Sequence, residues 1–147
     1  MASTHTSLHY HLIFATKHRE ALLAKEWRDE LHTYLGGTVK GLGGHSEGVG
    51  GVADHVHLLV SLKATACLSD FMRELKKASS AWLRESKSPG FQWQEGYAAF
   101  TVSASSREAV QRYIAGQEEH HRTRSFREEL VEFLEKSGVA YDPAYLD

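Results

Sequence analysis

Cysteine is nearly absent from this 147-residue chain: Cys67 stands alone, so no internal disulfide can close and no thiolate cage can hold a metal. Long apolar runs are missing too. The clearest one, residues 56–60, is broken by His57 and falls well short of the roughly 18 to 20 residues that cross a bilayer, so a membrane span is excluded. The first six residues show no basic segment leading into an apolar one, so a secretory signal is not visible and a cytoplasmic protein is expected. An excess of positive charge is also lacking. With 17 Lys and Arg against 19 Asp and Glu, the net charge of −2 does not by itself point to a nucleic-acid partner. There is no internal repeat and no low-complexity tract.

What is present is a globular balance, 41% apolar, 24% charged and 10% aromatic, over a length typical of one domain. A single domain over 1–147 is expected, with a core of about 8–138 and a short tail over 139–147. Charge is uneven along it. Residues 1–90 carry 11 basic and 9 acidic side chains (+2), whereas residues 91–147 carry 6 and 10 (−4). Ten histidines are the unusual count.

Alternating and β-favouring residues predict a first strand over 8–16. Trp27, Leu31, Tyr34, Leu35, Val39 and Leu42 recur at helical intervals over 26–42, and Gly41, Gly43 and Gly44 end that helix. The glycines at 48, 50 and 51 predict that any strand over 45–53 is short, irregular or at an edge, whereas 55–62 is a clear strand. A helix from an N-cap at Ser69 to about Glu85 carries Phe71, Leu75, Ala78, Ala81 and Trp82, and a break follows at Pro89 and Gly90. A further strand is expected within 91–103, centred on 97–102. Ser105 with Glu108 predicts a capping box that starts a helix through Val110, Tyr113, Ile114 and Gln117. Phe126, Leu130, Phe133 and Leu134 mark a last helix, stopped near Gly138. The order βα(β)βαβαα predicts an α+β, ferredoxin-like antiparallel sheet with helices on one face and additional C-terminal helices.

Several groups suggest chemistry. His55 and His57 are two apart on the clearest strand, so both imidazoles face one way, with Asp54 adjacent to orient one of them. Spacing alone is equally met by a polar sheet face. Tyr113 and Gln117 lie one helical turn apart, a phenol beside an amide oxygen, although Tyr113 also fits an ordinary packing stripe. His120 and His121 continue that polar face as alternative ligands, phosphate contacts or a solvated helix end. Arg73, Lys76 and Lys77 share one helix face, which suits phosphates or plain solvent.

The segments Y-H-L-I-F-A-T-K-H-R at 10–19, D-H-V-H-L-L-V-S at 54–61, F-Q-W-Q-E-G-Y-A-A-F-T-V at 91–102 and R-Y-I-A-G-Q-E-E-H-H at 112–121 together resemble the single-tyrosine HUH transposases of the insertion sequence 200/605 family. The resemblance runs in unbroken order from about Leu8 to Leu146. It implies a ferredoxin-like domain that forms a homodimer, with each active site shared between the HUH pair of one subunit and the tyrosine helix of the other. It also implies His55, His57 and Gln117 as ligands of Mg²⁺ or Mn²⁺ and Tyr113 as nucleophile; Asp54, His120 and His121 stay candidates for auxiliary roles from their spacing alone. Two positions depart from the family pattern: Ala53 stands where proline is usual, and Gly116 precedes the glutamine and weakens the helix there.

The activity so implied is cleavage and rejoining of single-stranded DNA near hairpins at insertion-element ends, through a 5′-phosphotyrosine link and without a nucleotide cofactor. The general base stays open, with His120 a bare guess. Lys17, His18, Arg19, Arg73, Lys76 and Lys77 are candidates for DNA contacts, and Trp93 for a base-stacking or, more ordinarily, a core role. A domesticated HUH endonuclease that processes repeat elements, a catalytically silent DNA-binding dimer and a metal-dependent hydrolase are the competing readings.

Overall fold

The structure, a computed structural model of the single chain, describes residues 3–146; the ends of the expected domain, residues 1, 2 and 147, lie outside the described residues. Four strands, β1 (His9–Ala15), β2 (His45–Gly51), β3 (His55–Ser61) and β4 (Ala98–Val102), form one sheet in the order β2-β3-β1-β4. Every neighbouring pair is antiparallel. Helices α1 (Lys25–Gly41) and α2 (Leu68–Ser86) supply the connections that let β1 lie between β3 and β4. The fold is therefore the expected ferredoxin-like α+β sheet. Among the described residues no helix is long and apolar enough to cross a membrane.

The two-residue period of the strands divides the sheet chemically. Leu12, Phe14, Val56, Leu58 and Val60 point to one face, where Leu31, Leu35 and Val39 of α1 and Phe71, Met72, Leu75 and Leu83 of α2 close the main core. Trp93 belongs here, edge-on to Phe14 and Phe91, and its indole N–H donates to Ser79 Oγ at 3.0 Å. It takes the core role and not the base-stacking one. The opposite face carries Ile13 and Ala15 beside His57 and His55 in register. Over it lie the C-terminal helices α3 (Arg107–Ala115), α4 (Gln117–His120) and α5 (Phe126–Lys136), with Phe126, Leu130 and Phe133 packed against Ile13 and Ala15.

Several local expectations are corrected. The second helix is capped by Cys67 without a side-chain bond, not by Ser69, whose hydroxyl instead lies 3.3 Å from Cys67 Sγ. The box expected at Ser105 and Glu108 does not form. Residues Ala104–Ser106 make a 3₁₀ turn and Ser106, at the cap, has helical rather than extended backbone angles, so no side chain there faces the free N–H groups. The reciprocal box is at Ser125 and Glu128, which open α5. The tyrosine helix, expected to run through Gln117, is interrupted at Gly116. Before β4, only Trp93 pairs with the sheet, through an isolated bridge to Thr16.

The edge strand β2 is irregular, as its glycines require, with a bulge between Ser46 and Gly48. The bulge presents the Glu47 side chain to His9 Nδ1 at 3.0 Å and to the Arg107 guanidinium, while Gln111 Nε2 donates to the Glu47 carbonyl at 2.9 Å. These bonds tie α3 to β2. At Gly50 the approach is closest: a Cβ there would meet the Ile114 carbonyl oxygen at 2.3 Å. A side chain at this position would push away the helix that carries Tyr113.

Candidate functional site

Strand β3 aims His55 and His57 into the space under α3, α4 and α5, and neither imidazole is exposed. Second partners set the state of each ring. The His55 Nδ1–H donates to Asp54 Oδ1 at 2.7 Å, and the His121 Nδ1–H donates to the Arg124 carbonyl at 2.7 Å. Because those oxygens accept, the neutral form of each ring leaves a lone pair on Nε2.

Those Nε2 atoms meet further acceptors. Gln117 Oε1 lies 3.2 Å from His55 Nε2 and 3.0 Å from His121 Nε2. Its amide nitrogen is turned away, toward Glu129 Oε2 at 3.3 Å and the Tyr113 carbonyl at 3.4 Å. Glu129 Oε1 lies 2.9 Å from His57 Nε2 and 3.3 Å from both His55 and His121. Acceptors crowded in this way need a cation between them, either protons on the rings or a metal ion. The ligand atoms of His55, His57, His121 and Glu129 all lie within 4.8 Å of one another, a set that could hold a metal. Imidazole nitrogens with carboxylate and amide oxygens suit a divalent cation.

Electrostatics follow from this packing. Burial would lower His55, but its bonds to Asp54 and Glu129 outweigh that and raise it above the usual histidine range. Burial prevails at His57, held down to about 4 against the pull of Glu129. Glu129, only 1% exposed, would be raised by burial, yet its bonds with His121, His55 and His57 hold it well below the usual carboxylate range. Asp54 is also lowered, its bond with His55 outweighing burial.

Tyr113 shares the pocket. Its ring stands edge-on to His57 with centroids 5.8 Å apart, its hydroxyl donates to Glu129 Oε2, and His120 Nε2 lies 3.2 Å from the same hydroxyl. Burial and then the Glu129 carboxylate push the phenol well above its ordinary range, so it rests protonated. The single chain thus brings together His55, His57, Gln117, Tyr113, Asp54, His120 and His121, with the phenol beside histidines of its own chain.

Two members were not singled out from sequence. Glu129 lies three residues after Phe126 and four before Phe133, in the apolar stripe of α5, and a carboxylate inside such a stripe is the signal that marks it. His11 Nε2 lies 2.7 Å from His57 Nδ1, and burial and then His57 lower its pKa to about 3. Its signal is the alternation of β1, which puts it on the face of Ile13.

Of the basic candidates, Arg19 borders this pocket, near Asp54 and His121, and the others sit apart from it. Lys17 Nζ donates to Gln92 Oε1 at 2.9 Å, and the His18 N–H to Gln94 Oε1 at 3.1 Å. His18 and Arg19 both have left-handed backbone angles, and the Arg19 guanidinium lies 5.8 Å from the Phe126 ring. On α2, Lys76 Nζ donates to the carbonyls of Gln94 and Gly96, each at 2.6 Å, so it braces this loop. Arg73 pairs with Asp70 and Glu74, and Lys77 is exposed. The two basic groups meet through the segment 92–96.

Comparison with known proteins adds an independent line. Residues 4–117 match the family model described as "Transposase IS200 like". The ISDra2 transposase TnpA of Deinococcus radiodurans is 33% identical over 117 residues, which cover 75% of this chain and 84% of that protein. A candidate transposase of Deinococcus radiodurans, solved by crystallography, aligns with a TM-score of 0.64 and 29% identity over 80% of this chain and 96% of its own. A REP-associated tyrosine transposase solved with a REP hairpin bound shares the fold, at a TM-score of 0.56 and 14% identity, over 79% of this chain and 72% of its own.

Proposed function

The chain belongs to the IS200-like transposase family, and from that premise we propose that it cuts and rejoins single-stranded DNA through a covalent link between Tyr113 and a 5′ phosphate. The observation that carries this reading is the position of the Tyr113 hydroxyl, bonded to the same Glu129 carboxylate that faces His55, His57 and His121. A nucleophile and a cation-demanding acceptor cluster in one pocket are what phosphoryl transfer to a phenol requires.

The donor set fits a divalent cation, Mg²⁺ or Mn²⁺. His55, His57 and Gln117 would hold it, and when bound it supplies positive charge to the scissile phosphate. Asp54 and His11 keep the two histidines turned toward the pocket. Tyr113 rests as a phenol and must lose its proton to attack; Glu129 Oε2 and His120 Nε2 are the acceptors in reach. The Tyr113 oxygen then bonds to phosphorus as the bond from phosphorus to the 3′ oxygen breaks, leaving a 3′-OH. Attack by a 3′-OH on the phosphotyrosine reverses the exchange, so no energy-rich cofactor is consumed.

DNA hairpins near the cleavage site are the proposed recognition element, with Lys17, His18, Arg19, Arg73 and Lys77 toward the backbone and Lys76 bracing the 92–96 loop. A homodimer that exchanges tyrosine helices is part of the same proposal. The test is incubation with single-stranded DNA from both flanks of the gene, with Mn²⁺ or with chelator. A denaturant-resistant adduct on Tyr113, formed only with metal and lost in Tyr113→Phe while hairpin binding persists, is the expected result. Adduct formation by the Phe variant at the parental level overturns the nucleophile, and release of a free 5′ phosphate without adduct assigns a hydrolase instead.

A further inference from the structure

We propose that Glu129 is a ligand of the cation, supplied by α5, so that cation binding pins the C-terminal helix onto the histidine face of the sheet. This rests on the reading of His55 and His57 as a metal site, and it adds a residue beyond the matched segment, which ends at Gln117.

Three observations converge. Glu129 is buried in the apolar stripe of α5, a position where a carboxylate is costly unless it is paired or coordinates a metal. Its Oε1 lies 2.9, 3.3 and 3.3 Å from the Nε2 atoms of His57, His55 and His121. Ligand atoms about 2.0 to 2.2 Å from one cation lie about 2.8 to 3.6 Å apart along the edges of an octahedron or tetrahedron, which is the spacing seen here. Finally, the Nδ1 atoms of His55 and His121 are committed to oxygens, so each ring turns its Nε2, the nitrogen free to bind a cation, toward Glu129. The remaining oxygen, Oε2, holds the Tyr113 hydroxyl and accepts from Gln117 Nε2. One carboxylate thereby links the cation position to the nucleophile.

The test is Mn²⁺ titration of the whole chain without DNA, with free Mn²⁺ read by electron paramagnetic resonance, for the parent, Glu129→Gln and His57→Ala. Glutamine keeps the shape but loses the charge, and it is expected to weaken Mn²⁺ binding by about tenfold or more. Parental affinity in a folded Glu129→Gln chain, with binding abolished in His57→Ala, overturns this inference and leaves the site standing. Parental affinity in both overturns the site itself and this inference with it. The unaltered protein supplies a second reading that needs no variant. Mn²⁺ should slow amide hydrogen exchange across α5, residues Phe126–Lys136, and unchanged exchange at saturating Mn²⁺ overturns the proposal.

Discussion

His11 Nε2 lies 2.7 Å from His57 Nδ1, on adjacent antiparallel strands and with both rings buried. The contact fixes the ring of His57 from behind, while its Nε2 faces Glu129. A buried imidazole held in this way has one nitrogen committed and the other available, as a metal-binding histidine needs.

Replacing His11 with phenylalanine keeps the ring volume and removes this contact. The expected outcome is a folded protein whose Mn²⁺ affinity falls by about 10- to 100-fold. Titration by calorimetry checks it, and parental affinity would mean that His11 does not hold His57.

The buried histidines give the metal-free protein a pH-dependent stability. Unfolded, His11 and His57 take up protons below about pH 6.5, whereas in the fold they stay neutral down to about 3 and about 4. The unfolded state therefore binds more protons in this window, and stability falls as pH drops through it, by up to about 1.4 kcal/mol per pH unit for each ring. His55 is shifted the other way, so its contribution is complete below about pH 6.5 and is lost as pH rises through its folded pKa. In chelator, Tm should peak near pH 6.5. A Tm that does not change between pH 6.5 and 4.5 contradicts this account.

Gly50 is where β2 and α3 nearly touch. Gly50→Ala should destabilise the fold by about 1 to 3 kcal/mol through forced separation of the two elements, and adduct formation should fall with it because Tyr113 rides on α3. Urea unfolding measures the first effect; an unchanged midpoint would show that the helix yields without cost.

At Gly116 an added Cβ would sit 3.4 Å from the Arg112 carbonyl oxygen, and its φ of −95° is open to any residue. Gly116→Ala should therefore leave stability unchanged or raise it by up to about 1 kcal/mol. In the parent protein, amide exchange around Gly116 should outpace that of the flanking turns. Equal rates would remove the idea of a flexible point in the tyrosine helix.

Lys17 and Lys77 are exposed and tied to no buried group. Alanine at either should lower hairpin-DNA affinity and reduce the slope of log K against log salt by about 0.7 to 0.9. A fluorescence anisotropy series in salt reads this directly, and an unaltered slope would place the DNA elsewhere.

Much of the site was legible because its rules are local. Alternation puts His55 and His57 on one face of β3, and helical spacing puts Tyr113 one turn from Gln117 even across the Gly116 break. The motif order pointed to the family, and element order to the sheet. Caps were less legible: Ser69 and Ser105 have the right chemistry, but α2 already begins at Leu68, which puts Ser69 inside the helix, and Ser105 lies within a 3₁₀ turn, whereas Ser125 sits in an extended conformation that permits its box.

Glu129 and His11 mark the boundary between the two kinds of information. Periodicity states that Glu129 falls in an apolar stripe and that His11 shares a face with Ile13, and it goes no further. Their partners are named only when α5 docks on the sheet and β1 pairs with β3, contacts that span 72 and 46 residues. The sequence by itself determined the strand and helix faces, since these follow from the repeat of the backbone. Tertiary packing alone decided which carboxylate meets the histidines, because that depends on how separate elements bury their apolar surfaces against one another.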